Sequence, residues 1–160
     1  MTALHCDRSL TVDRASYGGL IRDATGAAIL AYVGKGEENS VLCMELLAIL
    51  RGIMLCIQND LRRVSIRSDS KLEMDILNGE VGCPRAMQLL KGRIISLCEQ
   101  LHRKEIRHVW REMNQPADFI AAIDTGDGES IFNPSEFPLE LVELIQNDAD
   151  YKAYFRTPSF

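Results

Sequence analysis

At 160 residues with 46% hydrophobic content, the chain is long enough to bury one sizeable core and near the common size of a single domain. Its formal net charge of −5 argues against a protein that grips nucleic acid by bulk electrostatic attraction alone. No run of roughly 20 apolar residues and no basic-then-apolar leader is present, and the five cysteines are scattered without a Cys-x-x-Cys pair, so a reduced, intracellular protein (cytoplasm or nucleus) without structural zinc is expected.

The first third reads as strands: Leu4-His5-Cys6 ending at Asp7, then Tyr17–Arg22, then Ala28–Val33, with Asp23-Ala24-Thr25-Gly26 as the turn of a hairpin. After the loop 34–39, Ser40 is placed to cap a helix whose apolar residues Leu42, Leu46, Ile49, Ile53 and Ile57 recur at helical spacing until Asn59-Asp60. Val64 and Ile66 alternate with polar neighbours in a fourth strand ending at Asp69. A short helix follows with Leu72 and Ile76 on one face, closed by Asn78-Gly79.

Past Pro84, Met87, Leu90, Ile94, Leu97 and Leu101 mark an amphipathic helix, and Ile106 to Trp110 a fifth strand. Pro116 opens another helix with Asp118 in its first turn. A last short helix begins at Pro138 and carries Leu141, Val142 and Ile145, with Phe137 just before it. This order predicts an α/β fold: a five-stranded mixed sheet, its first three strands antiparallel and strands 1, 4 and 5 parallel, flanked by helices. Residues 1–126 form the expected domain, and 127–160 an extension packed on it.

Charge is unevenly spread. Seven Lys/Arg against two acids lie between Arg85 and Arg111, and ten acids against two bases from Glu112 to the end. The basic stretch, with Lys91, Arg93, Arg103, Lys104 and Arg107, is either a solvated face or a surface for phosphates.

Asp7 and Asp69 each close a strand at the end of a parallel pair, where ligands gather in such sheets. Glu45 borders the apolar stripe of its helix, and Asp118 sits where a helix dipole favours a carboxylate even without catalysis. Taken singly, each acid has an ordinary structural explanation. Brought together they would repel strongly unless a cation joined them, and a donor set of oxygens alone suits magnesium or manganese.

The segments carrying these acids, Leu4-His5-Cys6-Asp7, Met44-Glu45-Leu46-Leu47-Ala48, Ser68-Asp69-Ser70 and Arg111–Asp118, resemble the four motifs of type 1 ribonuclease H, and in particular those of plant, reverse-transcriptase-associated domains. The resemblance runs from about Thr2 to Asp124. It implies that Asp7, Glu45, Asp69 and Asp118 bind two Mg2+ ions, with Mn2+ as substitute, and direct hydrolysis of RNA in an RNA/DNA hybrid by a protein acting as a monomer. Arg8, Ser9, Ser70 and Asn114, beside these acids, are the candidate substrate contacts.

The chain also departs from the pattern. Arg8-Ser9 stands where the family has Gly-Ser and a glycine-rich loop, and Arg8 either competes with a metal or contacts a phosphate. Val41-Leu42-Cys43 replaces asparagines that touch RNA, the basic protrusion is missing, and no histidine lies between Trp110 and Asp118, His108 reading as a structural residue of its strand. These departures keep open a second reading: a weak or inactive module that binds nucleic acid or a protein partner.

Overall fold

The computed structural model describes the backbone of residues 1–36 and 40–156 and the side chains of 1–36 and 40–148; residues 37–39, expected to be loop, and 157–160 lie outside it. Six strands, β1 (Thr2–Leu10), β2 (Ala15–Arg22), β3 (Ala28–Gly36), β4 (Arg63–Ser68), β5 (Arg103–His108) and β6 (Glu129–Phe132), form one sheet in the order β5-β4-β1-β2-β3-β6. Pairs β1–β2, β2–β3 and β3–β6 are antiparallel, and β1–β4 and β4–β5 are parallel. The mixed topology matches expectation; the strand count is six, not five.

The additional strand is short and polar at its start, which hid it in the sequence. It is held on β3 by register and by Glu129, which accepts two parallel bonds from Arg51 at 2.8 Å each and one from the Tyr17 hydroxyl at 2.9 Å. Such a bidentate pair fixes geometry as well as charge.

Five helices cover the sheet: α1 (Val41–Gln58), α2 (Lys71–Leu77), α3 (Gln88–Cys98), α4 (Gln115–Ala121) and α5 (Leu139–Arg156). Ser40 and Ser70 cap α1 and α2 by accepting from Cys43 N and Glu73 N. One core packs α1 and α3 on the sheet through Leu4, Tyr32, Leu46, Ile49, Ile53, Ile66 and Ile94. The opposite face is covered by α4 and α5, where Leu20, Ala31, Val33, Ile120 and Leu141 form a second cluster, with Phe137 and Ile145 packed against it. Helix α1 has a mean hydropathy of 2.0 over 18 residues, long and apolar enough by composition to cross a membrane, but most of it is buried inside the fold and it carries Glu45 and Arg51.

Other expectations are corrected. β1 does not stop at Asp7: β2 goes on supplying partners as far as Leu10↔Ala15. The fifth strand lies at Arg103–His108, leaving Trp110 exposed beyond it, edge-on to His108 at 5.3 Å. Leu72 is exposed, and the buried face of α2 is Glu73, Met74, Ile76 and Leu77. The segment after 126 supplies a strand and an 18-residue helix, not one short helix.

Candidate functional site

The site forms where β4 ends beside β1. Parallel pairing runs from Thr2↔Val64 to His5↔Arg67, and the same offset carried two residues further sets Asp7 beside Asp69. Because β4 ends at Ser68 while β1 continues, this stretch of β1 is paired only with β2, leaving an open notch at the sheet edge.

Side chains alternate across a strand, so β1 delivers chemistry to both faces. Leu4 and Cys6 point toward α1, where they meet the Gly52 and Tyr32 region, and Arg8 follows them: its Nε lies 3.6 Å from Glu45 Oε1. That is a charge contact, too long for a hydrogen bond. Asp7 belongs to the other face, paired with Gly18, above which runs the backbone of α4.

Helix α4 is tied down at both ends. Asn114, fully buried, donates through Nδ2 to the Cys6 carbonyl at 2.9 Å. At the other end, Ser16 and Arg14 donate to the carbonyls of Ala121 and Ala122. These bonds satisfy the helix's last carbonyls and hold Asp118 in reach of Asp7.

Asp7 is 5% exposed, and its carboxyl is pushed up to about 7, first by burial and then by the negative charges of Asp69 and Asp118, with the Arg8 backbone N–H, donating at 2.8 Å, and the Arg8 side chain pulling the other way. Glu45 is likewise raised by burial, opposed by hydrogen bonds to Ser70 and Glu73 and by Arg8. All four acids are therefore in electrostatic contact around one notch. Among the described residues no three His, Cys, Asp or Glu side chains are drawn tightly enough together to cage a metal ion. The donors around Asp7 are carboxylate oxygens alone, the hard kind that divalent cations such as magnesium take.

A fifth acid escaped the sequence reading. Glu73 is fully buried beside Glu45; as a carboxylate it has no hydrogen-bond donor for either oxygen, and as the neutral acid it can donate to Glu45. Burial first, then the charge of Glu45, raises it well above the carboxylate range. Ser70-x-x-Glu73 is a capping-box pattern, and a Glu at its third position is expected to fold back onto the helix start. Here only half of the box is made, the Glu73 N–H donating to Ser70 Oγ at 3.3 Å.

The remaining expected contacts have defined places. Ser70 serves the α2 cap and Glu45, and Ser9 pairs with Ser16 across β1–β2. Asn114 is turned inward to β1.

A mixed sheet with acids converging at the end of a parallel pair and helices on both faces defines the ribonuclease H-like fold, and solved structures agree. Ribonuclease H1 of the archaeon Halobacterium salinarum superimposes with a TM-score of 0.71 at 17% identity, covering 74% of this chain and 92% of the other. The N-terminal ribonuclease H domain of a Mycobacterium tuberculosis protein gives 0.71 at 15% identity, covering 94% and 97%. LC11 ribonuclease H1 from a compost metagenome, solved with an RNA/DNA hybrid, gives 0.68 at 20%, covering 75% and 93%. Among curated proteins none matches the sequence. The profile of the reverse transcriptase-like family, a ribonuclease H family, matches residues 6–123, and the chain belongs to that family.

Proposed function

We propose that the protein is a metal-dependent endoribonuclease that cleaves the RNA strand of RNA/DNA hybrids, with Asp7, Glu45, Asp69 and Asp118 as its metal-holding residues and with functional kin among plant-type, reverse-transcriptase-associated members. The observation that carries this reading is the shared register that sets Asp7 beside Asp69, with Asp118 and Glu45 in charge contact, in a chain of this family. Bound there, Mg2+ or Mn2+ would activate water and stabilise the leaving oxygen of a phosphodiester.

The protein's own part is to hold a dense negative charge at an open notch. Buried Asp7 and Glu45 are kept in place by strand pairing and by Ser70, and Asp118 by the tethers on α4. Arg103, Lys104 and Arg107 on edge strand β5 and Arg93 on α3 are exposed and supply cations for a phosphate backbone. None of the five cysteines is in a disulfide, which supports an intracellular setting.

The test is a hybrid-cleavage assay with Mg2+ and Mn2+, using Asp69→Asn as control. Metal-dependent cleavage that drops at least a hundredfold in the variant is expected; no turnover by the unmutated protein in either metal would remove the proposal. A second reading, a weakened module that binds hybrids without cutting them, is favoured by one contact, the cation of Arg8 on Glu45. Hybrid binding with no cleavage would select it.

A further inference from the structure

We infer that Arg8 is a tethered internal cation of this centre, taking the place of one of two divalent ions, so that the protein binds a single Mg2+ or Mn2+ at Asp7, Asp69 and Asp118. The inference rests on the divalent-metal reading of the site and deepens it.

The geometry is specific. β1 runs on past Asp7 because β2 continues to pair with it, and strand alternation then turns Arg8 to the α1 face, against Glu45. Glu45 is the one carboxylate within ion-pair distance of Arg8 among the described residues. The Arg8 Nε has no hydrogen-bond partner, so the contact is one of charge, on a side chain 31% exposed. Glu45 also meets fully buried Glu73 and Ser70 through hydrogen bonds.

Charge then decides between one ion and two. With Glu45 matched by Arg8, three carboxylates remain, enough for one dication. A second dication would have to sit beside the guanidinium, which the chain keeps tethered there, and share Glu45 with it, and like charges at that range repel strongly where water is partly excluded. Arg8 cannot shed its charge, since a guanidinium stays protonated in proteins. A flexible stem nonetheless lets it leave, and a phosphate in the notch would offer a competing bidentate partner.

The experiment is calorimetric titration of Mn2+ and of Mg2+ into the full chain, into Arg8→Gln, Arg8→Lys and Asp69→Asn, with thermal melts to confirm folding. Expected are one ion per chain for the unmutated protein and for Arg8→Lys, and either a second ion or at least tenfold tighter uptake for Arg8→Gln. Two ions in the unmutated protein, or Arg8→Gln matching it in number and within twofold in affinity, would overturn the inference while the metal centre stood. Arg8→Lys behaving like Arg8→Gln would overturn it as well, since the charge would then not be the cause. No Asp69-dependent uptake by any of the proteins would bring down the metal reading itself, and the inference with it. The stoichiometry of the unmutated chain decides the matter even if Arg8→Gln fails to fold.

Discussion

Gly18 and Ala121 touch at backbone distance: a Cβ built on Gly18 would stand 3.0 Å from Ala121 Cα and 3.1 Å from its nitrogen. Gly18 is also the partner of Asp7 across β1–β2, so the missing side chain lets α4 lie close over the acid it faces. The Tyr32 carbonyl oxygen stands as near, at 3.0 Å, and all three atoms are backbone and cannot swing aside. Gly18→Ala is expected to cost about 1–3 kcal/mol by overpacking, and Gly18→Val more. For a chain of this size that is a fall of about 2–4 °C in Tm per kcal/mol, read by calorimetry. Because α4 carries Asp118, divalent-ion affinity should fall in step with Tm, whereas an Ile94→Val change in the other core should lower Tm alone.

Asp7 links stability to pH. Its carboxyl is raised from 3.8 to about 7 by burial and by Asp69 and Asp118, so the folded state prefers the neutral acid. For a raised acid, stability is greatest below the unfolded value, declines as pH climbs from about 4 to 7, and stays low above that. Asp7→Asn removes the charge and keeps the shape. In metal-free buffer the variant should match the unmutated protein near pH 4 and exceed it at pH 8 by on the order of 2–4 kcal/mol in urea unfolding. Mg2+ at a hundred times its Kd should close most of that gap, since it adds about 2.7 kcal/mol only to the protein that binds it. A variant less stable than the unmutated protein at pH 8 without metal would refute this account.

Helices α1 to α4 and the parallel pair were legible because their signals are local: Ser40 stands just before an apolar spacing, and Val64 and Ile66 alternate cleanly. What was not legible depends on partners distant in the chain. The polar run Asp7-Arg8-Ser9 reads as a strand end, yet it is strand because β2 pairs with it to Leu10. Glu129-Ser130-Ile131-Phe132 becomes a strand only by adding to the free edge of β3 with Arg51 in place. On α2, hydropathy favours Leu72 for the core, but the rotation of the helix is set by Met74, Ile76 and Leu77, which turns Glu73 inward and Leu72 to solvent. The four acids could be gathered from motif order; Glu73 could not, since it lies in none of the four motifs and its burial depends on how α2 is rotated.

Asn114 ties the start of α4 to β1 through one bond, Nδ2 to the Cys6 carbonyl. Asn114→Ala leaves that buried carbonyl without its donor, at a cost of about 1–3 kcal/mol. The loss has a local readout as well. The charge of Asp118 helps to raise Asp7, so a loosened α4 should let the Asp7 carboxyl titrate below its value of about 7. Carboxyl-carbon NMR titration of both proteins measures this; an unmoved Asp7 would mean that α4 is held by Ser16 and Arg14 alone.

Whether residues 1–126 can stand alone is decided by what the rest contributes. Cutting after 126 removes β6 and α5, and with them Leu141, which is 1% exposed and fills the cluster formed by Leu20, Ala31, Val33 and Ile120. It also removes Glu129 from Arg51 and Tyr17, and Asp148 from Arg22, whose side chain is nearly inaccessible and makes a short buried ion pair with it. Losing the one leucine costs about 2–5 kcal/mol, and stripping a buried cation of its partner about 3–5 kcal/mol more. Together these consume most of the 5–15 kcal/mol that holds a domain folded. The truncated chain is therefore expected to be unfolded or aggregated by circular dichroism and gel filtration. Single changes should apportion the loss: Asp148→Ala close to the buried-pair cost, and Glu129→Gln less, because Arg51 and Glu129 both keep partial access to water. A truncated chain that melts cooperatively within a few degrees of the full one would show that the second cluster adds little and that residues 1–126 fold without it.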